Sequence, residues 1–142
     1  MINGYNVGKD ISVDIVTQLG QFNFSTKVSF DARQAVARRS VMGLDGINRH
    51  LEIPQGWSGT IEVDRADNSI DAFFASVEAL YYSGAPIMAS TMTVTISNPD
   101  LSVSQYLFTG VVLSLPDGGR WRGDDIVRMR IDWVASQRTE IA

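Results

Sequence analysis

The chain has 142 residues, 44% of them hydrophobic and 20% charged, which suits one globular domain with a real core and excludes a disordered chain. Its net charge of −4 argues against a general nucleic-acid binder, which would usually be basic. With no cysteine it has no disulfide, thiol nucleophile or thiolate metal site.

No apolar run approaches the roughly 20 residues that span a bilayer, and the opening MINGYNVGKDIS has no apolar signal segment. The expectation is a soluble, cytoplasmic chain, one domain over 1–142, with no membrane partner. Residues 11–17 place Ile11, Val13 and Ile15 on one face of a strand. A turn around Gly20 leads to residues 22–30, where Phe22, Phe24, Val28 and Phe30 alternate with Asn23, Ser25, Lys27 and Ser29. Residues 31–50 lose this period and carry a net charge of +2; they read as a strand pair extended into an arm, or a long loop, over about 31–56.

Alternation returns at 57–64, with Trp57, Ile61 and Val63 against Ser58, Thr60, Glu62 and Asp64. The stretch DNSIDAFFASVEALYYSG then has helical spacing, predicting one helix over about 68–83. Asp67, Asn68 or Ser69 can cap it, and Gly84 with Pro86 stops it. Its apolar stripe, including Phe73, Phe74, Val77 and Leu80, is expected in the core. Three strands follow: 91–97, with the row Thr91, Thr93 and Thr95; 104–115, apolar on both faces as if covered on both; and 126–134. Asp117-Gly118 reads as a hairpin turn. The fold class is mainly β: an antiparallel β-barrel or sandwich with one flanking α-helix.

Chemistry is scarce. His50 is the only histidine, and Ser40, Asp45 and His50 lack a nucleophile-elbow motif. Asp64, Asp67, Asn68 and Asp71 lack the spacing of a calcium loop and suit a solvated helix start. Arg120, Trp121 and Arg122 sit beside Asp117, Asp124 and Asp125, which suits a hairpin tip or a protein interface better than a base-stacking site. No enzyme activity, catalytic residue, metal or cofactor is expected.

The layout resembles the tail tube proteins of contractile-tailed bacteriophages and, more distantly, the tube protein of type VI secretion. The resemblance rests on the opening NGYNVGKDISVDI, the segment QAVARRSVMGLDGINRHLEIPQGWSGTIEVDR running into the lone helix, and TMTVTISNPDLSVSQYLFTGVVLSLPDGGRWRGDDIVRMRIDW after it. It covers most of the chain and carries no catalytic signature. It implies a virion protein, assembled in the host cytoplasm, whose homohexameric rings stack into a hollow tube that conducts DNA without specific binding. The implied partners are the chain itself, a tail sheath protein, a tape measure protein, the baseplate and the tail terminator. Two alternatives stand beside it: a stand-alone β-barrel acting as a ligand-binding or accessory domain, or a baseplate or tail-terminator ring subunit.

The basic 33–50 segment and the acidic 62–78 stretch suit a head-to-tail contact between subunits. Arg38, Arg39, Met42, Leu44 and Arg49 are therefore expected at a subunit or ring interface. A wall that lets DNA slide should not hold phosphates. The expected lumen lining is Asn23, Ser25, Lys27, Ser29, Ser58, Thr60, Glu62 and Asp64, with any arginines paired to carboxylates.

Overall fold

A computed structural model describes residues 3–7, 10–23, 27–66 and 68–141. Strands β1 (Ile11–Thr17), β2 (Gly20–Asn23), β3 (Lys27–Phe30), β4 (Arg33–Met42) and β5 (Asn48–Asp64) precede the helix α1 (Ser69–Tyr82). Strands β6 (Ser90–Ser97), β7 (Val103–Asp117), β8 (Arg128–Ala135) and β9 (Gln137–Glu140) follow it. Every pairing is antiparallel, in the order β2-β1-β6-β7-β8-β5-β3, with β4 added to β5 and β9 to β7. The sheet curls into a half-barrel, in agreement with the mainly β, one-helix expectation.

Period-two alternation builds the core. Val13 and Ile15 of β1 stand opposite Val94 and Met92 of β6, and Met92 opposite Phe108 of β7. On the other half, Ile61 of β5 lies between Ile131 of β8 and Phe30 of β3. Trp133, 1% exposed, joins the halves: its ring meets Phe108 edge-on at 5.1 Å and stacks on Phe30 at 5.8 Å. Gly59 stands opposite Trp133 in register. A Cβ there would overlap the Asp31 carbonyl oxygen and press on the indole at 2.9 Å, so only glycine fits.

A bulge explains why β7 looks apolar on both faces. Val111 pairs with Ser90 and Phe108 with Met92, which leaves one extra residue on β7. Gly110 occupies this step with a φ of +67°, a conformation glycine adopts without strain. The step shifts the inward phase from Tyr106 and Phe108 to Val111, Leu113 and Leu115. The outward Val112 stays exposed, so the strand is not covered on both sides within one chain. Next to it, Ser136 N–H donates to the Thr109 carbonyl at 2.9 Å, where β8 gives way to β9.

Two further expectations are corrected. Val28 is exposed rather than inward beside Phe30, because a register shift between Lys27 and Ser29 breaks the alternation. Asp117-Gly118 does not make a tight hairpin. The connection runs over 118–127, and the Asp117 carboxylate accepts the Gly119 N–H at 3.0 Å. The short polar strand β9 has no apolar alternation and went unrecognised in the sequence.

The helix starts after Asn68, whose side chain makes no capping bond. Its far end closes through Ala85 N–H to the Leu80 carbonyl (3.1 Å), with Gly84 at a φ of +78°. β6 stops pairing with β7 at Val111, and α1 flanks the stretch beyond. Ile70 and Phe74 pack against the core, whereas Phe73, Val77 and Leu80 are half-buried; no helix residue is fully buried. Truncating Trp133→Ala should cost about 3–5 kcal/mol, and Phe74→Ala only about 2 kcal/mol. Urea unfolding of both variants checks the ranking.

Candidate assembly surfaces

The outward positions of β5 and β8 form one polar face. Ser58, Thr60, Glu62 and Asp64 stand opposite Val134, Asp132, Arg130 and Arg128, and Ser29 stands beside Glu62. The two arginines are matched by carboxylates: Arg128 reaches Asp64 at 3.2 Å and Arg130 reaches Asp132 at 3.6 Å. Five of the eight expected lumen residues thus share a surface. Ser25 lies outside the described residues, and only the backbones of Asn23 and Lys27 are described. Thr91, Thr93 and Thr95 belong to the other half of the sheet, on β6 between β1 and β7.

The 31–56 segment is an arm made of a strand pair. β4 pairs with the first half of β5 from Met42↔Asn48 to Arg33↔Ser58, whereas β8 pairs only with Trp57–Asp64 of β5. The hairpin therefore extends past the body of the sheet as a two-stranded ribbon. Cross-strand partners share a face. One face carries Val41, Arg49, Arg39, Leu51, Ala37 and Ile53; the other carries Met42, Asn48, Ser40, His50, Arg38, Glu52, Val36 and Pro54. Leu51, Val41 and Ile53 are exposed, and at the tip Leu44 stands fully in solvent. A chain rarely leaves so many branched side chains on one ribbon unless something covers them.

Ion pairs within the chain account for most of the arm's charge. Arg33 pairs with Asp31 (3.2 Å), Arg38 with Glu52 (3.5 Å) and Arg49 with Asp45 (2.7 Å). In the acidic stretch, Asp64 pairs with Arg128 and Asp71 with Arg65 at 2.8 Å, while Asp67 lies outside the described residues. At the corner of the sheet, Arg138 of β9 sits over the rings of Trp57 (4.2 Å) and Tyr106 (4.5 Å). These ring contacts were not anticipated; the only hint was an arginine in a polar tail.

The Ser40, Asp45 and His50 side chains are not brought together as a catalytic set. Ser40 stands across from His50 on the exposed arm, but Asp45 is taken by Arg49 and by the Ile47 N–H. Among the described residues no group of three His, Asp or Glu side chains is placed to hold a metal ion. Among the described residues no helix is long and apolar enough to cross a membrane.

The whole fold recurs in solved assemblies. A chain of the sheath–tube complex of an extracellular contractile injection system, PVC, in its extended state superposes with a TM-score of 0.66. The match covers 99% of this chain and 94% of that one at 10% identity. The chain has a tail-tube-like fold. The tube-terminating cap of the anti-feeding prophage gives a TM-score of 0.63 at 10% identity over 100% and 95% of the two chains. The tail of an empty gene transfer agent particle with C6 symmetry gives 0.55 at 11% identity over 97% and 100%. No protein-family model and no curated protein matches the sequence. The tail-tube-like body thus spans nearly the full length of these neighbours, arm and helix included.

At the arm tip, the Ile47 N–H and then the Arg49 guanidinium hold the Asp45 carboxyl below its ordinary 3.8. A depressed folded-state value steadies the turn above about pH 4 and withdraws that support as pH falls through it. In an NMR titration, the Ile47 amide signal should move with a midpoint below 3.8, and Arg49→Ala should raise that midpoint.

Proposed function

We propose that the chain is a structural subunit of a phage-like tail, and that six copies close into rings that stack as the inner tube. End-to-end agreement with components of contractile injection systems and a C6-symmetric tail carries this reading. A ribbon whose apolar face is bare, together with open sheet edges, suits a chain completed by its neighbours. In this reading Arg38, Arg39, Met42, Leu44 and Arg49 serve subunit contacts. The polar face of Ser29, Ser58, Thr60, Glu62 and Asp64 lines the channel. Neutralised arginines on that face suit the passage of DNA without binding. Sheath, tape measure protein, baseplate and terminator are the expected partners, and the virion the expected location.

Electron microscopy of the purified chain tests this. Long tubes built of rings of about 90 kDa, six chains of 15.6 kDa each, are expected. Isolated rings would favour a cap, terminator or baseplate subunit, and a monomer at tens of micromolar would overturn the assembly. A second measurement addresses the channel. Tubes carrying Glu62→Lys and Asp64→Lys should retain DNA in a salt-dependent way, whereas wild-type tubes should not.

A further inference from the structure

One cation on the arm and one anion on the helix have no charge partner among the described residues. Of the four arginines on residues 33–49, three are held by carboxylates of the same chain, and Arg39 has no carboxylate partner among the described residues. On the acidic stretch, Asp64 and Asp71 are paired, and Glu62 stands across from Arg130. Glu78 has no cationic partner among the described residues. It borders a shallow hollow with Asp71, Phe74, Ala75 and Leu115.

The surroundings of the two groups also match. Arg39 lies on the face of the ribbon that carries the exposed Val41, Leu51 and Ile53, directly across from Leu51; the other arginine of that face, Arg49, is held by Asp45. Glu78 lies one turn before Tyr81 and Tyr82, which pack edge-on at 5.3 Å yet are 68% and 77% exposed. Tyrosines and arginines that are bare in a free chain are the side chains that anchor interfaces. Within one chain the ribbon leaves the sheet beyond the Trp57 end of β5, and none of its residues lines the hollow beside Glu78. The arm of a second copy carries the charge and the exposed apolar side chains that complement this helix face.

We propose that the apolar face of the arm of one subunit docks on the helix α1 of a second copy, with Arg39 seated against Glu78 and the Leu51 side chain against the Tyr81–Tyr82 pair. This rests on the reading of the chain as a self-assembling subunit and names the surfaces that meet. A charge pair enclosed by apolar contact fixes register and discourages wrong pairings more than it adds affinity. The contact is head-to-tail, since arm and helix are different surfaces.

Charge exchange in the full-length chain tests it. Arg39→Glu and Glu78→Arg should each lower the assembled fraction about tenfold in sedimentation, with unfolding curves unchanged, and the double variant should recover most of it. Since the chain has no cysteine, Arg39→Cys and Glu78→Cys provide a second measurement. Mixed and mildly oxidised, the two variants should form a disulfide-linked dimer that neither forms alone. Single charge variants that assemble like wild type and a mixture that fails to cross-link would overturn this contact while leaving self-assembly intact. A wild-type chain that stays monomeric would overturn both.

Discussion

One strand holds this molecule together. β7 pairs with β6 and β9 along its first part and with β8 along its last, so both halves of the sheet share it. A single strand can serve both only if it turns and changes phase between them. Gly110 supplies that step, with a positive φ and a site so close to Ser136 that a Cβ would lie 2.5 Å from the hydroxyl. Trp133 then fills the space between the halves, with Phe108 on one side and Phe30 on the other. The opposing Gly59 makes room for it. The inward row, the outward polar face and the stretch flanked by the helix all follow from where that phase change falls.

The rest of the chain divides its work around this frame. The helix adds no fully buried residue, so it flanks an opening instead of building the core. The outer face of β5 and β8 pairs both of its arginines with carboxylates of the same chain. The arm differs. Its two strands bond to each other through the hairpin, but its branched side chains are not covered by anything in the same chain. A closed polar wall and an open apolar arm are two different relations to solvent, produced by one strand, β5, as it leaves the sheet.

Much of this was legible in the sequence, where a period of two or 3.6 stayed in phase. The strands at 11–17, 57–64 and 91–97 kept their period, and their inward residues could be read directly; the helix kept its bounds, but of its expected stripe Phe74 packs on the core while Phe73, Val77 and Leu80 are half-buried. Reading failed where the phase slipped. Val28 was assigned inward because a bulge leaves no mark in composition, and β7 seemed apolar on both faces because two phases were read as one. β9 is polar throughout and is a strand only because β7 offers it an edge. The opposed charge of the arm and of the 62–78 stretch was visible from composition. Which charges stay within the chain was not, since pairs such as Asp64 with Arg128 join residues far apart in sequence.

The two-stranded form of the arm has a kinetic consequence. An isolated ribbon without a third strand or a helix behind it is marginally stable in water. It opens at a lower cost than the core strands and becomes firm only when its bare face is covered. In the proposed docking, the cost of ordering it would therefore fall at the moment of contact. A surface that already presents ordered neighbours would pay that cost once for each incoming chain, whereas two free chains would pay it twice. If subunits assemble as proposed, growth from an existing end would be faster than spontaneous starts, and the number of starting points, more than the supply of subunits, would govern how many polymers form.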